Sequence, residues 1–171
     1  IETLRAEGAE IDYVKVQGVA NTQVIRMYAE ADIVADQFIG GAFGYTALEA
    51  MALGKPVMTF VRGADLVEAP HECPLINVTP DTLVEVLRWC VTHRDSLARI
   101  GAQGEAYVRR WHSVEAVAAR FGDLYRETGD FPAAVLDDIA AHQAREEGRR
   151  RAIPSLSGWE HPFQVVGSAC A

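Results

Sequence analysis

The sequence predicts an α/β fold in which helices flank a parallel β-sheet, and three observations lead there. Short apolar runs at residues 32–36, 56–61 and 75–77 read as strands buried on both faces. The stretches between them repeat apolar residues at helical spacing. The connections are short, and strands alternating with helices across short connections pair in parallel.

The elements follow in chain order. Ile1 and Leu4, with Glu2, Arg5 and Glu7 between and around them, form the tail of a helix closed by Gly8. Because the chain opens on Ile1 in mid-pattern, its N-terminus is expected to be a truncation. Residues 10–16 alternate Ile11, Tyr13-Val14 and Val16 with polar residues, which predicts a half-buried strand neighbouring those of Val34 and Val57. Asn21 is an expected N-cap for a helix reaching residue 31, with Val24, Met27, Tyr28 and Ala31 on one face. Gly40, Gly41 and Gly44 fill the loop after the 32–36 strand, and a helix follows from about Tyr45 to Leu53, closed by Gly54. Thr79-Pro80, an N-cap and a first-turn proline, open a helix through Trp89-Cys90. Helical patterns continue from Asp95, over residues 101–112, and from the N-cap Ser113 to Tyr125. Beyond Thr128 the pattern weakens into one polar helix over 131–151 and an extended tail over 152–171. The expected division is therefore a domain of residues 1–128 and a C-terminal segment of residues 129–171.

Composition narrows the function classes. A chain of 171 residues, 49% hydrophobic, builds one domain with a core. A net charge of -8 argues against a broad nucleic-acid surface, and Arg149-Arg150-Arg151 reads as a solvated helix end. Cys73, Cys90 and Cys170 are odd in number and widely spaced, which fits reduced thiols in the cytoplasm. No apolar run approaches the ~20 residues of a membrane span, and no signal peptide is recognisable. His71, beside Glu72 and Cys73, lacks a second cluster at ligand spacing, so no metal is expected there. His93 and His112 are read as partners of helix C-termini. Trp89, Trp111 and Tyr107 are assigned to packing, and Trp159 to docking elsewhere.

The informative stretch begins where the 32–36 strand ends at Asp36. A glycine-rich turn follows and a helix starts directly behind it. In open parallel sheets, ligands sit beyond the carboxyl ends of the strands. A helix N-terminus there offers free N–H groups and a partial positive charge, which suits a diphosphate. Glycines let the backbone approach such a ligand; a tight ligand-free connection is the simpler alternative. Glu49 is the one charged residue between Asp36 and Lys55, on a helix otherwise of Ala, Leu, Met, Tyr and Thr. Four residues after Tyr45, it shares that residue's face and lies within reach of a ribose diol. Solvent exposure is the alternative for Glu49, but an idle charge on so apolar a helix is costly.

Gly41-Ala42-Phe43-Gly44-Tyr45-Thr46-Ala47-Leu48-Glu49-Ala50-Met51-Ala52-Leu53-Gly54-Lys55-Pro56-Val57 resembles the donor-site signature of retaining GT-B glycosyltransferases of the family 4, or group 1, type. Their usual pattern runs Glu-Gly-Phe-Gly, three variable residues, Leu-Glu-Ala-Met-Ala, one residue, then Gly-x-Pro-Val. Flanking segments agree in order, so the likeness covers roughly residues 1–128. It implies the C-terminal, Rossmann-like half of a GT-B fold, truncated before its first strand, that binds a nucleotide diphosphate sugar. By position Glu49 holds the ribose hydroxyls, while Gly40, Gly41, Phe43, Gly44, Tyr45 and Thr46 face sugar and diphosphate. The family's first glutamate, which touches the donor sugar, falls on Gly41 here, so no catalytic residue is assigned; Asp36 and Gln37 are the nearest polar candidates. The basic pair that neutralises the diphosphate belongs to the missing first strand-loop-helix, and Arg62 and Lys55 are poor substitutes by sequence. Lys55 instead complements a helix C-terminus.

The resemblance implies retaining sugar transfer to an acceptor held by a missing N-terminal domain, with this fragment inactive alone. It implies no cofactor, and nothing resembles the Asp-x-Asp element of metal-dependent transferases. The expected partners are the donor nucleotide sugar and that acceptor domain, with membrane association of the parent left open. The alternatives are a non-catalytic nucleotide or sugar-phosphate binding module, a donor-binding subunit of a split transferase, or a nucleotide-sugar epimerase on the same fold.

Overall fold

A computed structural model describes residues 1–129 and, beyond them, residues 134, 135, 137, 138 and 141. The expected 131–151 helix, apart from those last five positions, and the 152–171 tail with Trp159 and Cys170 lie outside the described residues. The elements run α1 (Glu2–Ala6), α2 (Asn21–Glu30), β1 (Val34–Ala35), α3 (Tyr45–Ala52), β2 (Val57–Thr59), a 3-10 turn (Ala64–Leu66), β3 (Ile76–Asn77), α4 (Leu83–Thr92), α5 (Arg94–Trp111) and α6 (Val114–Thr128). The strands form a parallel sheet in the order β1-β2-β3, with Val34 opposite Val57 and Met58 opposite Ile76. This is the parallel α/β arrangement that the alternating pattern predicts, and it is consistent with the Rossmann-like domain that the resemblance implies.

All of β2 is buried, and successive side chains of a strand point to opposite faces. Val57 accordingly joins a cluster with Val34, Ala47, Ala50, Met51, Leu75 and Tyr107. Met58 joins a second cluster with Ile76, Val78, Val86, Cys90 and Ile100. Thr59, also fully buried, donates its hydroxyl to the Gln37 carbonyl at 3.1 Å. Past the end of β2, the Asn77 side chain continues the ladder, accepting from Val61 N–H at 2.9 Å and donating to Val61 carbonyl at 2.8 Å.

Three expectations are corrected. Residues 10–16 form no strand, and Tyr13 and Val14 are 58% and 60% exposed. Alternation makes a strand only beside a neighbour that supplies hydrogen bonds, and β1 pairs with β2 alone among the described residues. The segment is instead tied to α1, whose Arg5 donates twice to the Ile11 carbonyl, at 3.1 and 2.8 Å. Asn21 is not the cap of α2; Ala20 holds that place with no side-chain bond, and Asn21 is the first helical residue. Finally, α4 begins at Leu83 rather than just after Thr79-Pro80. Thr79 and Thr82 bond each other through backbone and hydroxyl groups, which stabilises a separate turn first.

The two helical patterns from Asp95 and over 101–112 form one helix, α5, and Ser113 caps α6 by accepting from Ala116 N–H at 3.1 Å. No helix among the described residues is long and apolar enough to cross a membrane.

α5 packs tightly against the end of α3 and the Gly54 turn behind it. A methyl group on Gly101 would overlap the carbonyl of Gly54, and one on Gly104 would stand 3.0 Å from Met51 Cγ. Backbone cannot yield as a flexible side chain does, so overpacking here forces the helices apart. Gly101→Ala is expected to destabilise the domain by about 3 kcal/mol. Chemical denaturation should show a lower midpoint, whereas Gly8→Ala, at a glycine with open space around it, should cost less.

Candidate functional site

The site is built where β1 delivers the chain to the glycine turn. Asp36 N–H still donates to the Met58 carbonyl at 2.9 Å, extending the sheet one residue past β1. Gln37 then organises the turn. Its Nε2 donates to the carbonyls of Ala42 and of Phe60, the latter at 2.9 Å, and its Oε1 accepts from the N–H groups of Ile39, at 3.1 Å, and of Gly40. One amide thus meets both of its donor and both of its acceptor capacities inside the loop. Asp36 Oδ2 accepts from Gly44 N–H at 3.3 Å, fixing the entrance of α3. The two polar candidates for sugar contact therefore hold the backbone of the turn.

Gly44 is the N-cap of α3 and carries no side-chain cap. The N–H groups that open the helix have no partner within it, since helical bonding starts with Leu48 N–H to the Gly44 carbonyl. Tyr45 is 84% exposed and Thr46 is half-buried at this end. Ala47, Ala50 and Met51 turn inward, so the apolar helix is anchored by one face and open on the other. Glu49 is half-buried, and its Oε1 accepts from Asn21 Nδ2 at 3.1 Å. Its bonded partner is the start of α2 rather than any residue of the turn. Phe43 meets the ring of His112 edge to face, with centroids 6.4 Å apart.

Gly41 is buried and has φ +80°, a conformation that L-residues rarely adopt. Its carbonyl accepts from Arg62 N–H at 3.0 Å. A Cβ built on Gly41 would lie 3.1 Å from Arg62 Cδ and 3.3 Å from both Arg62 Cβ and Cγ. The stem of Arg62 therefore crosses the place where a side chain at position 41 would begin. Sequence reasoning set this cation aside as a poor substitute for the basic pair, although the carboxyl-end rule, applied to β2 as well as to β1, points to it. It missed the Asn21–Glu49 pair, which joins residues 28 apart in the chain.

The remaining candidates have local explanations. His93 caps α4, its Nδ1 lying 2.9 Å from the Trp89 carbonyl, and its ring stacks on Trp89. Tyr107 is buried and donates to the Glu68 carbonyl, and Trp111 Nε1 donates to Glu72 at 2.9 Å. His71 is exposed beside Glu72, and no group of three His, Cys, Asp or Glu among the described residues is arranged for a metal. A hollow of about 400 Å³ lies along α2, but Thr22, Gln23, Arg26, Met27 and Glu30 all come from one helix, so no groups converge on it from different elements.

His112 stands at the C-cap of α5, the kind of helix end expected for it. Burial, and then the charge of Arg120, push its pKa below the ordinary 6.5, against a weaker opposing effect of Glu68. The folded state prefers neutral imidazole, so the unfolded chain takes up the proton first as pH falls. The stabilising contribution is complete above 6.5 and is lost as pH drops through the folded value. The melting temperature should fall between about pH 7.5 and 5.5, and His112→Asn should flatten that slope.

A family model for group 1 glycosyl transferases matches residues 2–93, a little over half of the chain. The matched span runs from α1 into the C-cap of α4 and contains the glycine turn, Asn21, Glu49 and Arg62. No curated protein and no solved structure matched the chain. The parallel sheet and the turn before α3 thus lie inside a family match of that extent, and the chain belongs to the group 1 glycosyl transferases.

Proposed function

We propose that residues 1–128 are the donor-binding half of a retaining GT-B glycosyltransferase of the family 4 type. It takes a sugar from a nucleotide diphosphate sugar to an acceptor held by a separate domain, and it acts in the cytoplasm. The observation that carries this reading is Glu49, a half-buried carboxylate one turn inside a helix whose first N–H groups are uncapped. Asn21 binds one carboxylate oxygen and so fixes the side chain, while the other oxygen has no hydrogen-bond partner among the described residues. A carboxylate held this way is preorganised to accept two hydroxyls of a ribose. The uncapped amides, with Gly40, Gly41, Phe43, Gly44, Tyr45 and Thr46 around them, suit the diphosphate and the sugar.

In this reading the protein's contribution to the reaction is positional and electrostatic. Fixed amides stabilise the charge that develops on the departing diphosphate, and Glu49 keeps the nucleoside from shifting as the bond breaks. A second reading is favoured by Gly41. Where the family signature has a glutamate, this chain has a glycine overlain by an arginine stem. That supports a non-catalytic nucleotide or sugar-phosphate binding module, or a donor-binding subunit of a split transferase. Incubating the full-length parent with nucleotide sugars separates the two readings. Release of nucleoside diphosphate with an acceptor product of retained anomeric configuration supports transfer, and tight binding without release supports the module.

Glu49→Gln in the full-length parent tests the site itself. Hydrogen bonds to a charged group contribute roughly 1.5–3 kcal/mol, so calorimetry should show nucleoside diphosphate affinity falling about tenfold or more. The melting temperature should hardly change, because the swap is isosteric and the amide is easier to bury. Unchanged affinity would leave Glu49 a structural partner of Asn21 and no more.

A further inference from the structure

We infer that Arg62 is a donor-binding residue that takes the sugar-side phosphate of the nucleotide diphosphate sugar at the Gly41 turn; this rests on the donor-site reading proposed above. Arg62 stands three residues beyond β2, on the carboxyl side of the sheet where the glycine turn also lies. One contact fixes its backbone there: its N–H donates to the Gly41 carbonyl at 3.0 Å. Its stem runs past the bare Gly41 Cα, 3.1–3.3 Å from the position a Cβ would take. The glycine and the arginine are therefore a matched pair. Any side chain at position 41 would meet the stem and would also have to adopt φ +80°.

The charge of Arg62 is the second part of the argument. Arg5, Arg88, Arg109, Arg110, Arg120 and Arg126 each pair with a carboxylate. Arg62 is exposed and, like Arg26 and Arg94, its guanidinium has neither an ion pair nor a hydrogen bond among the described residues; of the three, it alone stands at the carboxyl side of the sheet beside the glycine turn. Asp36, at the end of β1, is engaged with Gly44 N–H, and Asp65, three residues beyond Arg62, forms no ion pair with it among the described residues. A cation anchored through its backbone, with its planar fork left open beside the glycine turn, suits bidentate binding of a phosphate. The phosphate bonded to the sugar is favoured over the inner one, because position 41 is where the family signature has its sugar-contacting glutamate. Exchanging that acid for glycine under an arginine changes the sign of the charge presented to that end of the donor.

Calorimetry on the full-length parent, with UMP and UDP and the guanosine and adenosine pairs in parallel, tests this. Arg62→Gln should weaken the bound diphosphate about tenfold and change the monophosphate less than about twofold. Arg62→Lys should recover part of the loss, and an unchanged melt should show that the exposed side chain is not needed for folding. Equal losses on mono- and diphosphate, or no loss on the diphosphate, overturn the inference. A loss confined to UDP-glucuronate, with UDP unaffected, also overturns it, placing Arg62 on a sugar carboxylate. If Glu49→Gln weakens binding while Arg62→Gln does not, this inference alone fails. A parent that binds none of these nucleotides overturns the donor-site reading as well.

Discussion

The contact of Gly101 with the Gly54 carbonyl governs how the rest of the domain is arranged. At that point α5 lies against backbone, closer than any residue with a Cβ allows, and α3 is pulled onto the core through Met51 and Ala50. The helix is eight residues long, so its C-terminal anchorage determines where its N-terminus stands. That N-terminus meets the end of β1, and the chain leaving α3 turns at Gly54 straight into β2. A small shift of α5 would therefore reach the glycine turn through a rigid helix rather than through a loop. Packed interiors transmit such displacements because they have few voids to absorb them.

The turn and the helix behind it deal with their polar groups in opposite ways. Gln37 satisfies the loop from within, binding two carbonyls and two N–H groups with a single side chain. Asp36 adds one bond at the boundary, to Gly44. The opening amides of α3 receive no such help from a capping side chain. A loop braced by its own side chains holds its shape without a ligand, while uncapped donors beside it retain their capacity for one. This combination costs little conformational entropy on binding, which is the physical content of preorganisation.

Much of this was legible in the sequence, and the reasons differ from element to element. The strands around Val34, Val57 and Ile76 could be read from their short apolar runs, but the expected burial on both faces holds for β2 alone; Ala35 of β1 is exposed and Asn77 of β3 half-buried. The turn before Tyr45 could be read because glycine clustering and a helix onset are local signals. Residues 10–16 were misread because alternation describes a side-chain pattern, whereas a strand exists only with a hydrogen-bonded neighbour. Asn21 has the chemistry of a cap, yet its amide bonds to Glu49 on another helix, a choice that no local window contains. Arg62 and Gly41 were legible singly but not as a pair, since their meeting depends on how β2 lies beside the turn.

The two described cysteines sit on opposite sides of the sheet, Cys73 in the cluster with Val57 and Cys90 in the cluster with Met58. Burial raises their thiol pKa values to about 11 and about 12, so almost no thiolate is present at neutral pH. A thiolate, not a thiol, reacts with an alkylating reagent, and it must first reach solvent. Labelling of either cysteine therefore waits for its own layer to open. The molecule carries a native clock on each face, and the ratio of the two rates reports whether the layers breathe independently or part together.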